Sequence, residues 1–414
     1  MLHPTTIDEI NFWDLAMFSQ GNPHAAWKIL REQAPVYYHD KPGGESFWCV
    51  TRYDDVRAVH SDAVLYSSER NGIMLRNDEQ LAAPSMDDVM PMPPMIHTDP
   101  PRHQPLRKLV SHNFTPKSVS ELEAELRGYA TECFDDAADK GEVDFVTDIA
   151  HRIPAAIAFS LMDVPRADWD RLSDLEHQTV TRSDPEFQSD GETDPTLELA
   201  MYFYELITER QQNLGDDLLS QYLLSELDGE PLPITQIVAE AILFLAGGLD
   251  TTRAAASAGA MLPLLDHPDQ LAALADDRSL IPAAVEEMVR WASPITSETR
   301  TVIRDTDFEA SDGQTYRFAE GDRVTMWSPS ANRDARQFDA PDTYDIRRSP
   351  NRHIGFAYGE HFCLGAHLAR LTLRVEFEEL FARFSGFELV GEPSRVHSNF
   401  VGGLKHLPVR LTPR

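Results

Sequence analysis

The strongest constraint on this chain is a helical pattern of about thirty residues running from Ile234 to Leu262. At about 1.5 Å rise per residue it spans roughly 45 Å, enough to cross a whole domain, so the remaining elements must pack around it. Its middle reads Leu245-Ala246-Gly247-Gly248-Leu249-Asp250-Thr251-Thr252. Two adjacent glycines inside a helix cost about 1 kcal/mol each against alanine. Such a cost marks the close approach of something flat, or a widened turn. Asp250 and Thr251 follow directly, and an acid inside an apolar helix points to function more than to stability. A packing groove with a cap-like Asp250 is the plainer alternative.

A second feature lies more than a hundred residues downstream. In Phe356-Ala357-Tyr358-Gly359-Glu360-His361-Phe362-Cys363-Leu364-Gly365 one cysteine stands between two glycines, and a helix follows from Ala366. A lone cysteine is most often a buried, inert thiol. Here Gly359 and Gly365 permit close backbone approach. The positive N-terminal end of the next helix points at the sulfur and favours its thiolate. A thiolate with one open side suits haem iron.

Between the N-terminus and the long helix the pattern changes character. Residues 35–38 and 46–51 alternate as strands around the turn Lys41-Pro42-Gly43-Gly44. Short helices are expected at residues 24–33 and 54–60. A loop over residues 70–98 carries Met74, Met86, Met90, Met92 and Met95 among prolines; flexible methionines suit an adaptable apolar pocket wall. In the segment Asp99–Lys108, His103 and Arg107 share one helical face and suit carboxylates or phosphates. Residues 118–212 are mostly helical, broken by an acidic stretch at 184–195 that reads as a mobile connection. Asp216-Asp217 caps the next helix. Glu287 and Arg290, at i and i+3, read alone as a surface pair worth a few tenths of a kcal/mol. Short strands are expected near residues 300–303, 307–309, 316–318 and 324–327, then a helix to about residue 384 and a β-like tail.

Charge excludes some partners. The net charge is −31, with six lysines and 31 arginines against 68 acidic residues. That deficit argues against nucleic acid and anionic membranes and raises the prospect of a salt-adapted surface. Cys49, Cys133 and Cys363 are too few and too widely spaced for a disulfide framework, so a cytoplasmic setting is expected. No apolar run is expected to reach the ~18–20 residues of a membrane span.

Taken in order and spacing, these motifs resemble the cytochrome P-450 family of haem-thiolate monooxygenases over nearly the whole length. Phe356, Gly359, Cys363 and Gly365 match its Phe-x-x-Gly-x-x-x-Cys-x-Gly signature, with Ala357 where the family often has glycine. Glu287 and Arg290 match its Glu-x-x-Arg helix, and Arg348 matches the arginine that completes a buried triad. The resemblance therefore overrides the surface-pair reading. Gly247, Gly248, Asp250 and Thr251 match the oxygen-activation stretch. His103, Arg107, Arg300 and His361 match the positions that hold the haem propionates.

The resemblance implies a mainly α fold with small β-sheets, a single triangular domain over residues 1–414 around the long central helix. A β-rich lobe (residues 35–70, 300–330 and the tail) would lie against a helical body (99–292 and 364–384). It implies haem b ligated by Cys363, O2 as co-substrate, and proton relay through Asp250 and Thr251. It further implies electrons from NAD(P)H through a ferredoxin reductase and ferredoxin, since no flavin or iron–sulfur signature occurs in the chain. Arg102, Lys108, Arg352 and Arg370 are candidates for a basic docking patch. The 351–356 run and the tail from Ser398 to Val409 are similar to a branch acting on sterols, branched lipids and terpenoids. The expected substrate is accordingly a hydrophobic small molecule of that kind, its wall formed by the Met/Pro loop with Ile242, Leu243 and Leu245. A fatty-acid hydroxylase of the same family, or a haem-binding sensor or carrier, is the alternative.

Overall fold

A computed structural model describes residues 4–82, 92–187 and 194–414. Met86, Met90 and Pro91 of the Met/Pro loop lie outside the described residues. The long helix is the spine of the molecule. It runs as α-helix from Ile234–Ala256, passes through one widened π-turn at Ser257–Met261 and continues to Asp266. Its first half supplies Ile237, Ile242, Leu245 and Leu249 to one apolar cluster, with Phe159, Phe203 and Tyr222. Its second half supplies Ala255, Ala256 and Met261 to another, with Phe134, Phe377 and Phe381. One element thus joins the two helical cores, and burial of each large apolar side chain contributes about 1.5–3 kcal/mol.

The widened turn lies beyond the glycine pair, not at it. A different glycine, Gly259, explains its position. A Cβ there would meet the Met288 carbonyl at 2.3 Å, so the turn is where the spine touches helix Ile281–Ala292. From Ile234 to Asp266 the spine is long and apolar enough to cross a membrane, contrary to the expectation from sequence. Over half of its most apolar window is buried against the cores just described, as a core helix would be.

Two sequence-distant stretches form one sheet. Its strand order is Val36–His39, Phe47–Val50, Arg323–Met326, Glu298–Val302 and Tyr66–Ser67. The contact between the stretches is parallel, with Trp48 opposite Val324, and all other pairings are antiparallel. Strands 298–302 and 323–326 are buried at every residue, so Arg300 is carried into the interior opposite Val324. A second sheet pairs Phe384–Leu389 and Glu142–Asp144 with Pro408–Pro413. The fold is mainly α with small sheets, as expected.

The 184–187 end of the acidic connection is fixed rather than loose. Asp184 is fully buried and accepts from the His397 amide (2.8 Å) and Lys405 Nζ (3.2 Å). Glu186 is held by Lys405 and His406 at 2.7 and 2.6 Å. Acids that composition alone marks as loose are paired with the tail.

Candidate active site

The Cys363 loop is shaped by its own backbone. The Cys363 amide donates to the Phe356 carbonyl at 2.9 Å, closing the loop. Gly359 has φ 73°, and a Cβ there would lie 2.4 Å from the His60 carbonyl, so only glycine fits. Ala357 also has a positive φ, 58°, a conformation that costs a Cβ-bearing residue about 1–2 kcal/mol. Helix Ala366–Arg383 starts just beyond Gly365, and a Cβ added at Gly365 would meet open space. Burial pushes the Cys363 thiol up; the Gly365 amide and the Arg107 and Arg370 guanidiniums pull it down but do not win. The thiolate expected from the helix end is therefore not secured by the chain alone. It needs a cation nearer than either guanidinium.

Four cationic or donor side chains converge beside this loop. His103, on helix His103–Lys108, and His361 lie with ring centres 4.2 Å apart. Ser68 Oγ is 3.2 Å from His361 Nε2. Arg107 donates to the Phe362 carbonyl at 2.6 Å. Burial, then the Arg107 charge, lowers His103 to about 4. Burial, then Arg300, lowers His361 to about 2. The anions in reach are few: Glu298 is 3.4 Å from Arg300, and Glu360 is 4.0 Å from His103. The buried Nδ1 atoms of both histidines have no hydrogen-bond partner. Two guanidiniums and two idle histidine nitrogens converging in one place fit a ligand bearing carboxylates.

The spine is bare on one face. Leu243, Phe244, Ala246, Gly247, Gly248 and Thr251 are all more exposed than their neighbours, and Gly247 is exposed although it sits mid-helix. A Cβ on Gly247 or Gly248 would touch nothing. This open face, the idle histidines and the cysteine sulfur together fit haem b. The Cys363 sulfur would meet the iron, the glycine wall would leave room above the ring, and the four side chains would hold its carboxylates. Leu245, expected in the pocket wall, is instead fully buried in the core; Ile242 is also buried there, and the half-buried Phe244 stacks on Phe114 at 5.7 Å. A separate cavity of about 240 Å³, between Gly21, His24, Trp291 and Arg395, contains none of these residues.

Thr251 Oγ1 donates to the Gly247 carbonyl at 2.7 Å. Asp250 is turned the other way. It is fully buried, and Arg253 and His177 approach its two oxygens at 3.0 and 3.2 Å. Burial would raise its carboxyl, but the Arg253 charge and the His177 hydrogen bond hold it at about 2. Acid and alcohol are adjacent in sequence but sit on different sides of the helix.

Glu287, Arg290 and Arg348 meet behind the cysteine loop. Arg290 grips Glu287 with two bonds of 2.7 Å, and Arg348 Nε lies 3.2 Å from it. The Asp345 amide and Asn351 also donate to Glu287, and Arg348 donates to the carbonyls of Asp339, Ala340 and Thr343. The pair is buried, not on the surface. Removing one member would leave an unpaired buried charge, costing roughly 3–5 kcal/mol.

Sequence reasoning missed Glu240. Buried in the spine, it accepts from the Met95 amide at 2.9 Å and from Gln236 at 2.8 Å, and Gln236 also donates to the Pro93 carbonyl. It ties the 93–95 segment to the spine. Glu240 carries the same signal as Asp250, an acid inside an apolar helix. His177 carries no such signal, because its partner lies 73 residues away.

Comparison with known proteins supplies the family. The Cytochrome P450 family profile matches residues 196–409. The methyl-branched lipid omega-hydroxylase of Mycobacterium tuberculosis is 34% identical, over 97% of this chain and 94% of that one. The steroid C26-monooxygenase of the same organism is 31% identical, over 98% and 93%. The solved structure of Mycobacterium marinum cytochrome P450 CYP268A2 in complex with pseudoionone superposes with a TM-score of 0.86 and 33% identity, covering 98% of each chain. The chain belongs to the cytochrome P450 family of haem b monooxygenases.

Proposed function

We propose that this protein hydroxylates a steroid, a methyl-branched lipid or a terpenoid of similar bulk. Haem, when bound, supplies the activation of O2 and transfer of one oxygen atom to a C–H bond. The chain supplies the rest. Cys363 is the axial ligand, and Phe356 and Gly365 frame it. His103, Arg107, Arg300 and His361 hold the propionates. Gly247 and Gly248 keep the wall clear. Asp250 and Thr251 move protons, and Glu287, Arg290 and Arg348 brace the cysteine loop within a single domain. The observation that carries this reading is the bare glycine face of a buried helix, together with a cysteine loop flanked by two buried histidines with idle Nδ1 atoms and by two arginines.

Two supports bear on the substrate. Phe244 and Phe114 make the near wall aromatic and apolar, and relatives about a third identical bear steroid and branched-lipid names. Electrons come from a ferredoxin-type partner. Of the four cations expected at its docking patch, Arg102 donates to Gln236 and Arg370 is bound to Glu286 and lies over Phe356. Lys108 and Arg352 are exposed and, among the described residues, in no ion pair, so they form the reduced patch. Three free thiols suit a reducing cytoplasm.

The test has two parts. The reduced protein with carbon monoxide should show the red-shifted thiolate band, and Cys363→His should bind haem without it. A variant that keeps both the band and full turnover would refute the ligand role. Spin-state titration with a steroid, a methyl-branched fatty acid and a terpenoid ketone should give a saturable shift with at least one. A shift with straight-chain fatty acids alone would replace the proposal with the fatty-acid reading.

A further inference from the structure

The cavity beside Gly21 and Arg395 shares no residue with the haem site, and its walls carry positive charge that the chain leaves unpaired. It lies between the 18–24 segment, the far end of the spine, the end of helix Ile281–Ala292 and the 395–403 segment. Ala258, on its spine side, stands about 10 Å beyond Thr251 along the helix axis. The volume of about 240 Å³ equals the share of roughly eight waters, room for a small organic molecule.

Two arginines line it. Arg395 makes no ion pair and no side-chain hydrogen bond among the described residues. Asp266 is the one acid on the described lining; it is exposed and acts on Arg395 from beyond ion-pair distance. Burial lowers Arg395, and the Asp266 charge offsets only part of that. What Arg395 does touch is backbone: Gly21 has φ 114°, and a Cβ there would lie 3.2 Å from Arg395 Nε. Arg333 is buried, lies 3.9 Å over the Trp291 ring and reaches one carboxylate, Asp342, at 3.4 Å. Burial, then the Arg290 charge, lowers it to about 10. His24, on the same lining, has an Nδ1 without a hydrogen-bond partner. Burial, then the charges of Arg333, Arg31, Arg395 and Arg290, push this ring well below the ordinary histidine value. It is neutral, in a field that guanidiniums dominate.

The frame is bonded together. The Gly402 amide donates to the Pro294 carbonyl at 2.8 Å, and Asn22 Nδ2 to the Ala292 carbonyl at 3.4 Å. Ser398 Oγ accepts from the Phe400 and Val401 amides at 3.1 and 3.3 Å. Phe18, Leu262, Pro263 and Val396 supply apolar lining. A neutral molecule here would leave the guanidiniums desolvated without a counter-charge, and an inorganic anion would leave the apolar lining wet. A carboxylate on an apolar body answers both.

We propose that this cavity binds a small organic carboxylate, whose charge pairs with Arg395 in the field of Arg333 and whose body lies against Phe18, Leu262 and Pro263. Benzoate is a probe of this shape, and benzamide is its neutral counterpart. Isothermal titration of benzoate into the ferrous carbonyl holoprotein should show one saturable site, and benzamide should bind roughly tenfold more weakly or worse. Arg395→Gln gives up no protein partner, so its carbonyl spectrum and melting temperature should stay at wild type. It should weaken benzoate by roughly tenfold or more, and Arg395→Lys should recover part of the loss. Benzoate that binds wild type and Arg395→Gln equally occupies another site and would overturn the proposal, as would the absence of saturable binding. Inorganic phosphate should bind more weakly than benzoate; phosphate bound as tightly would overturn the organic class. In crystals of the holoprotein soaked with 4-bromobenzoate, the anomalous signal of bromine should fall in this cavity, a readout that depends on no variant. Bromine found only elsewhere would also overturn the assignment.

Discussion

The Thr251 hydroxyl spends its proton inward, on the Gly247 carbonyl, and leaves its lone pairs to the open side. Its use there is to accept and hold a donor, and alanine removes that. Thr251→Ala should keep the haem spectrum but divert electrons to peroxide, lowering product per NADH roughly tenfold or more, the scale of a lost proton-transfer group. Paired NADH, product and peroxide assays check it, and wild-type coupling would count against the role. At this scale the sequence is legible where chemistry needs fixed spacing. Cys363, Glu287 and Arg290 are picked out without coordinates by their match to a family signature, although spacing alone reads the last two as a surface pair. What spacing does not carry is burial. It conceals that the Cys363 thiol is pushed up rather than down, that Asp184 is paired, and that Asp250 points away from Thr251's side of the helix. Each depends on which distant segments come to lie around one side chain.

Helix Ala366–Arg383 carries the cysteine loop at its start and a buried acid in its middle. Glu376 is fully buried, neither oxygen has a hydrogen-bond partner, and burial pushes it up to about 8. Its ordinary value is near 4.5, so the folded protein holds this proton more tightly than the unfolded chain does. The stability it contributes is complete below about pH 4.5 and is lost as pH rises through 8. Glu376→Gln cannot ionise. Above pH 8 it should be more stable than wild type by a few kcal/mol, since each tenfold change in proton affinity is worth ~1.4 kcal/mol, with little difference at pH 5. Urea midpoints at the two pH values decide it; equal wild-type and variant midpoints at pH 8.5 would show the acid is not buried as described. Element positions are largely legible, since long periodic runs and turn residues sit close together in sequence. Helices 24–33 and 281–292 fall where periodicity puts them. The widened turn at 257–261 is not legible, because its cause is the Met288 carbonyl on another helix.

The whole molecule carries a net charge of −31, and many of its arginines are committed internally. Arg127 alone meets Glu123, Glu378 and Glu379, while Arg323 donates to the carbonyls of Gly72 and Met74. The remaining surface is one of mutual repulsion, reaching about 30 Å at 0.01 M salt and about 10 Å at 0.1 M. The melting temperature should therefore climb from dilute buffer into the 0.1–1 M range. A maximum in dilute buffer would mean that internal pairs, weakened by salt, outweigh the surface repulsion. The joining of residues 36–50 to 298–326 in one sheet is anticipated by the sequence only as a lobe. Its parallel register needs coordinates, because strand order is a long-range property.

The strap at 183–187 ends the helix that carries His177, and it is moored to residues 397–406 through a buried carboxylate. Such an anchorage yields in one step or not at all, since freeing Asp184 breaks the hydrogen bond from the His397 amide and the ion pair with Lys405 together. Local opening on this side of the molecule should then be a rare event of appreciable cost rather than a frequent small one, and amides of the 183–187 and 397–406 segments should exchange with solvent slowly and together.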